Sequence, residues 1–269
     1  MANLFCVKDK VVIITGGAGI LGRGIAGHLA EEGAKIVILD RAAEVGEQIV
    51  ADIKAKGGEA SFFLTDVLNK EILEQNKKDI LAKYGRIDVL VNNAGGALKM
   101  PKGEVCDMPL DYWDSQIALN LSGAAYLSHE AIKNMKEHNI PGRIVNISSI
   151  HGSVTWVKRK ALPYCAGKGG IEMFTKTLAI EVAKYGIRVN CVAPGLILTG
   201  VMSRYSDRDV EGFRRKIAAG YLATPEDIVP MIQFFADVEK TKYIVGQTIA
   251  VDGGQSIDGA IDCMLEDEF

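Results

Sequence analysis

The order of apolar runs and helical patterns in the first ninety residues constrains this chain most. Val11-Val12-Ile13-Ile14 is apolar without alternation and reads as a buried strand ending in glycines. Ile20 to Glu32 has helical spacing and stops at Gly33, and Lys35 to Leu39 forms a second apolar run. Ala42 to Lys56 is an amphipathic helix closed by Gly57-Gly58. Ala60 to Leu64 is a third strand, Lys70 to Lys83 a third helix, and Ile87 to Val91 a fourth strand. Strands that are apolar throughout must be covered on both faces. Strand–helix alternation with right-handed crossovers does this in a parallel sheet. The expected fold class is therefore α/β, one doubly wound parallel sheet of about seven strands with helices on both faces.

The pattern continues with Leu110 to His138 as one long helical segment. Arg143 to Ile147 is a strand, Pro163 to Tyr185 a helix and Ile187 to Val192 a strand. Gly200 to Ala223 is polar and irregular and reads as a lid. Thr224-Pro225-Glu226-Asp227 opens a helix running to Ala236, and Thr248 to Val251 is the last short strand. No Pro-, Gly- or Ser-rich linker and no repeat interrupts residues 1–269, so one domain is expected. Charge enters only as an exclusion. Thirty-one cations against 34 anions give −3, which argues against nucleic acid or a membrane surface as the main partner. No apolar stretch reaches the roughly 18 residues of a membrane span, and the first ten residues do not read as a signal peptide. Five scattered cysteines without a paired spacing read as reduced thiols of a cytoplasmic protein. Four scattered histidines offer no metal-binding pattern.

Gly17-Ala18-Gly19-Ile20-Leu21-Gly22 matches G-x-G-x-x-G. With 29 glycines in the chain the string alone is weak. Here it follows a strand, opens a helix and sits in the first βαβ unit, the context a dinucleotide site requires. Glycines permit close approach to a pyrophosphate, and the helix N-terminus supplies free N–H groups. Asp40 ends the second strand 18 residues after Gly22. A carboxylate there can hydrogen-bond ribose hydroxyls and would repel a 2′-phosphate, favouring NAD over NADP. Arg41 pulls weakly the other way. Asp66, followed by Val67, is placed to meet the adenine edge, and Asp66 could also cap the next helix.

Tyr164 and Lys168 stand at i and i+4 on one helix face. A phenol is a poor acid–base near neutral pH, and a nearby ammonium favours its phenolate. The pair can take a proton from an alcohol while hydride leaves its carbon, or run the reverse. Asn92-Asn93-Ala94-Gly95, Asn146-Ile147-Ser148-Ser149 and Pro194-Gly195-Leu196-Ile197-Leu198-Thr199 end three other strands at the same sheet edge, where ligands bind in open α/β folds.

Together with Thr15-Gly16 before the turn, Asn120 in Leu119-Asn120-Leu121-Ser122-Gly123 and the closing Val251-Asp252-Gly253-Gly254, these motifs resemble the short-chain dehydrogenase/reductase family, in order, from about Val7 to Gly254. The resemblance implies a Rossmann fold. It implies Tyr164 as general acid/base, Lys168 holding the nicotinamide ribose, Ser149 bonding the substrate oxygen, and Asn120 supporting a water chain to Lys168. Ser148 would face away. Thr15, Gly16, Gly17, Gly19, Ile20, Leu21 and Gly22 would line the pyrophosphate. Asn93, Ala94 and Gly95 would follow the adenosine side, and Pro194, Gly195, Ile197 and Thr199 the nicotinamide carboxamide. The family's usual turn, T-G-x-x-x-G-x-G, has glycine where Ile20 stands, so the turn is expected to shift and still bind. The 15-residue gap from Ser149 to Tyr164 is about two longer than usual, with the excess in His151 to Lys160.

Lys158-Arg159-Lys160 in that loop, and Arg204, Arg208, Arg214 and Arg215 in the lid, favour an anionic or polyhydroxylated substrate. His151 either contacts it or caps a turn. The Gly-Ile-Leu-Gly turn resembles the family's branch acting on sugar acids and polyols. The expected function is thus NAD-dependent interconversion of a secondary alcohol and a ketone on a sugar, sugar acid or polyol. A 3-oxoacyl-thioester or hydroxysteroid reductase is the alternative, and a non-catalytic NAD-binding sensor the alternative of another class. The resemblance also implies a homo-oligomer, tetramer or dimer.

Overall fold

The computed structural model describes residues 5–98, 105–155, 161–198 and 206–257. Thr199, Arg204, Cys263, Lys158, Arg159 and Lys160 lie outside them. Seven strands form one sheet: β1 (Val11–Thr15), β2 (Lys35–Asp40), β3 (Glu59–Leu64), β4 (Val89–Asn92), β5 (Arg143–Ile147), β6 (Arg188–Pro194) and β7 (Thr248–Val251). Their order is β3-β2-β1-β4-β5-β6-β7, and every pairing is parallel. The order reverses between β1 and β4, the position where the two halves of a doubly wound sheet leave a crevice.

The helices are α1 (Ile20–Glu31), α2 (Ala43–Ala55), α3 (Lys70–Tyr84), α4 (Leu110–Ile117), α5 (Gly123–Glu137), α6 (Leu162–Val182), α7 (Asp207–Arg214) and α8 (Pro225–Ala236). The unbroken apolar runs are explained by a core on each sheet face. Val12, Ile14, Ile36 and Ile38 pack with Ile25 and Leu29 of α1, Ile49 and Ile53 of α2, and Ile228 and Phe235 of α8. Their strand neighbours Val11, Ile13, Val37 and Leu39 turn to the other face, against Leu73 and Ile80 of α3, Leu127 and Met135 of α5 and Val182 of α6. Each such side chain contributes about 1.5–3 kcal/mol on burial.

Two expectations are corrected. The segment Leu110 to His138 is not one regular helix: a π-helical turn, Ala118–Ser122, separates α4 from α5. Apolar spacing reports which face is buried, and one wide turn does not erase it. The stretch 200–223, read as irregular, contains α7 within its described part. Ser206 and Asp209 form a reciprocal capping box at its start, Ser206 Oγ accepting the Asp209 N–H while Asp209 accepts the Ser206 N–H. That Ser-x-x-Asp spacing is a readable helix signal.

Arg143 opens β5 at the sheet edge opposite the crevice and is 1% exposed. It donates to the carbonyls of Pro141, Gly142, Asp237 and Val238 and to Thr241 Oγ1, at 2.6–3.2 Å. Burial pulls the guanidinium down to about 10, with nearby Arg188 adding to the shift. This buried fork ties β5 to the segment after α8. Arg143→Leu leaves several carbonyls unpaired and is expected to destabilise the protein by about 2–4 kcal/mol, seen as a lower urea midpoint. Nucleotide affinity of the folded fraction should stay unchanged.

Candidate active site

The nucleotide half of the crevice is built at the ends of β1, β2 and β4. Helix α1 starts at Ile20 with Gly19 as its cap and no side-chain cap bond, so its first N–H groups face the turn. A Cβ on Gly22 would lie 2.2 Å from the Gly16 carbonyl oxygen, whereas one on Gly19 would come no nearer than 3.3 Å to it. The obligatory close approach is therefore at Gly22. Ile20 is half exposed at the turn. The Asp40 carboxylate ends β2 beside this turn and accepts the backbone N–H groups of Ala18 and Ala42, each at 3.0 Å. Arg41 is exposed.

Thr15 and Asn93 knit the turn to β4. Thr15 Oγ1 accepts the N–H groups of Asn93 (3.0 Å) and Ala94 (2.9 Å). The Asn93 amide donates to the carbonyls of Thr15 and Gly16, both at 3.0 Å. Both side chains thus shape the turn through the protein's own backbone. Asp66 accepts the Leu68 N–H at 2.9 Å and does not cap α3; Asn69 does, accepting from Ile72. An open groove of about 460 Å³ lies there, lined by Asp66, Leu68, Asn69, Lys70 and Glu71. Val67 is buried beside it, against Gly123.

The reactive half gathers the ends of β4 and β5, the π turn and the first turns of α6. Lys168 is 4% exposed and donates to the Ile147 carbonyl at 2.8 Å. Its ammonium lies 5.9 Å from the centre of the Tyr164 ring, as the i, i+4 spacing requires. Burial holds the Lys168 ammonium down at about 8. Asn120 sits in the middle of the π turn. Its Oδ1 accepts the Gly96 N–H at 2.9 Å, and its Nδ2 donates to the carbonyls of Gly96 (3.1 Å) and Gln116 (3.0 Å). A Cβ on Gly95 would stand 2.9 Å from Asn120 Oδ1 and 3.1 Å from Lys168 Nζ. Glycine there lets β4 bring Asn120 and Lys168 together. Gly96, which clasps Asn120, was not singled out from the sequence; its signal is the second glycine after Asn93-Ala94.

Ser149 caps a short 3₁₀ turn, Ile150–Gly152, its Oγ accepting the His151 N–H at 3.2 Å. Ser148 faces the other way, donating to the Lys168 carbonyl at 2.9 Å. His151 stands edge-on to Tyr164, ring centres 6.4 Å apart, and its Nδ1 lies 3.1 Å from the Val154 carbonyl. Only a protonated Nδ1 can donate that bond. On the far side, Pro194 ends β6 and Gly195 donates to the Val251 carbonyl. Ile197 bridges to Ala223, and Gln255 Oε1 accepts the Leu196 N–H at 3.2 Å. Gln255 follows the closing motif, and nothing in the sequence marks it. Among the described residues no cluster of His, Cys, Asp or Glu could hold a metal.

Comparison with known proteins now bears on this arrangement. Residues 16–256 match the family model described as enoyl-(acyl carrier protein) reductase. The chain belongs to the short-chain dehydrogenase/reductase family. A 7α-hydroxysteroid dehydrogenase of Bacteroides fragilis is 38% identical over 93% of this chain and 95% of that protein. A 3-oxoacyl-[acyl-carrier-protein] reductase of Chlamydia pneumoniae is 36% identical over 91% and 96%. Among solved structures, a candidate gluconate dehydrogenase of Agrobacterium tumefaciens superposes with a TM-score of 0.87 at 29% identity, covering 94% of this chain and 98% of that one. A variant of the actinorhodin polyketide ketoreductase with NADPH gives 0.84 at 29% identity, covering 92% and 97%. The chain is thus an oxidoreductase of a family that works with a nicotinamide nucleotide on CH–OH groups.

The Gly22 contact predicts that Gly22→Ala pushes α1 off the turn, weakening nicotinamide-nucleotide binding more than tenfold, or about 1.4 kcal/mol, by calorimetric titration. Gly19→Ala should keep the wild-type melting midpoint. A second prediction follows from Lys168. Its proton is bound less tightly folded (about 8) than unfolded (10.5), so between those pH values the unfolded chain holds more protons. Wild-type stability relative to Lys168→Met should therefore rise from pH 8 to pH 10.5, by up to about 3 kcal/mol in urea titrations.

Proposed function

We propose that this chain interconverts a secondary alcohol and a ketone with NAD(H), Tyr164 carrying the proton. The observation that carries the reading is the buried Lys168 ammonium beneath the Tyr164 ring, in a cradle closed by Gly95, Asn120 and the Ile147 carbonyl. NAD supplies a hydride acceptor, or in reduced form a donor. The residues fit it: the Gly22 approach leaves room for a pyrophosphate, the α1 N-terminus offers N–H donors, and a carboxylate at Asp40, beside the turn, supports NAD over NADP by its repulsion of a 2′-phosphate. Thr15, Gly16, Gly17, Gly19, Ile20, Leu21, Asp66, Val67, Asn93, Ala94, Pro194, Gly195, Ile197 and Thr199 complete the proposed cofactor site.

In the oxidising direction Ser149 and Tyr164 bind the substrate hydroxyl, and the Tyr164 phenolate takes its proton as the C–H hydride leaves. The Lys168 ammonium stabilises the phenolate, and its donors not used by Ile147 serve the ribose. Asn120 supports a water chain that carries protons to Lys168. In the reducing direction the same groups return the proton.

For the substrate, the cationic lid gives less support than its charge suggests. The guanidinium of Arg214 is committed to Glu211 at 2.6 and 2.7 Å and to the Gly220 carbonyl, and Arg215 also donates to Glu211. The arginine pair pulls Glu211 down to about 2. Segments leaving β4, β6 and the lid expose Leu98 (40%), Leu198 (52%) and Tyr221 (52%). An apolar rim favours a hydroxysteroid or 3-oxoacyl thioester, the substrate types in the names of two relatives. The sugar, sugar-acid or polyol reading keeps the support of the gluconate dehydrogenase likeness and of His151 beside Tyr164. We further propose a cytoplasmic homo-oligomer, tetramer or dimer; Leu110, Met173 and Ile180 on α4 and α6 are exposed apolar groups that such contacts would cover.

Absorbance at 340 nm across hydroxysteroids, 3-oxoacyl thioesters, polyols and sugar acids, with NAD and with NADP, tests the reading. Turnover is expected on the first two classes and at least tenfold faster with NAD. Tyr164→Phe should cut kcat by about 10³-fold while the Kd for NAD moves less than twofold. A sensor would keep its function in that variant.

A further inference from the structure

The helix face that carries Tyr164 and Lys168 has a third member one turn on, Glu172. Its carboxylate is shared between the two ends of the substrate loop. Oε1 accepts the Ser148 hydroxyl at 3.0 Å, and Oε2 accepts the Ser153 hydroxyl at 3.0 Å. Ser148 Oγ also lies 2.9 Å from the Lys168 carbonyl, so its single proton is shared between two neighbouring acceptors of α6. Between them Gly152 lies against the carboxylate: a Cβ there would stand 2.3 Å from Glu172 Oε1 and 2.9 Å from the Lys168 carbonyl oxygen. The bracketed segment contains Ser149 and His151, joined by the bond from the His151 N–H to Ser149 Oγ.

From this geometry we infer that Glu172 is a positioning residue, clamping the 148–153 loop onto α6 so that Ser149 and His151 are held in register with Tyr164 and Lys168. The inference rests on the proposed oxidoreductase reading for its kinetic consequence only. Glu172 does not touch the reacting atoms. It acts through Ser148 and Ser153. Carboxylate acceptors give stronger hydrogen bonds than neutral ones, and two of them from opposite ends of a six-residue loop fix that loop's tilt as well as its distance. Misplacing a hydrogen-bond donor by about 1 Å is enough to cost about 10²-fold in rate. The clamp is thus a means of setting kcat from outside the reaction centre.

The test uses the full chain and two readouts. The first is hydrogen exchange at the amides of His151 and Gly152, which needs no substrate. Glu172→Ala is expected to speed exchange there at least tenfold, with the amides of β5 unchanged. Glu172→Gln, which keeps one carbonyl acceptor and can donate to Ser153, should restore most of the protection. The second is kinetics: kcat should fall at least tenfold in Glu172→Ala and recover in Glu172→Gln, while the Kd for NAD stays within twofold of wild type. Where Glu172→Ala does not fold, the double variant Ser148→Ala/Ser153→Ala removes the same bonds and should behave alike. Unchanged exchange at both amides overturns the clamp. So does accelerated exchange with kcat held within twofold, or a Glu172→Gln variant no better than Glu172→Ala. Wild-type protein that binds NAD and turns over nothing would sink the oxidoreductase reading and leave the exchange result to decide the clamp.

Discussion

A lysine ammonium buried at 4% exposure is the constraint around which the site is organised. A buried charge is costly unless it is hydrogen-bonded and neighboured by dipoles. Here the Ile147 carbonyl at the end of β5 accepts from it, and the Asn120 carboxamide stands across Gly95 from it. Each of these groups comes from a different element. Strand β5 supplies the carbonyl, the loop after β4 supplies a residue without a side chain, and the break between α4 and α5 supplies the amide. Losing any of them would leave the ammonium dearer to keep charged. Its affinity for the proton is already reduced by burial. That poise is useful: the charge is held near the phenol and sits close enough to neutral pH to respond to what binds beside it.

The π turn at Ala118–Ser122 follows from the same need. Asn120 must reach the β4 loop, and its carboxamide does so by exchanging two hydrogen bonds with Gly96 while a third goes to Gln116. A wide turn inside a helix is a strained feature that recurs at functional positions. In this chain it lies at Asn120, whose side chain reaches the loop after β4. On the opposite sheet edge Arg143 shows how differently the protein treats a buried cation with no chemistry to perform. There each guanidinium nitrogen donates to a backbone carbonyl or a threonine hydroxyl, and the result is a rivet between β5 and the end of α8.

The substrate side has a different character. Two lid arginines, Arg214 and Arg215, share the Glu211 carboxylate, and Leu98, Leu198 and Tyr221 are exposed on segments beyond β4, beyond β6 and in the lid. Counting charges along the lid cannot reveal this, because the pairing depends on one helical turn that places Glu211, Arg214 and Arg215 on one side. The capping box that starts that turn is local and readable. The pairing it creates is local too, at i, i+3 and i, i+4. The contacts between Gln255 and Leu196, and between Glu172 and Ser148 and Ser153, join residues 59, 24 and 19 positions apart, beyond what spacing can report.

The sequence by itself determined the strand–helix alternation, the parallel sheet, the glycine turn at the first strand end and the Tyr164–Lys168 pair. All of these rest on short-range periodicity or on spacing within one element. It also fixed which strand ends share an edge, because parallel strands joined by crossover helices all point their carboxyl ends the same way. Only the tertiary structure decided that Thr15 and Asn93 bind each other's backbone, that Asp66 leaves the α3 cap to Asn69, and that the long helix opens at Asn120. Those outcomes are competitions between acceptors for the same donor. The Thr15–Asn93 and Asn120–Gly96 bonds are settled by distances of about 3 Å between residues 78 and 24 positions apart, which no local pattern encodes.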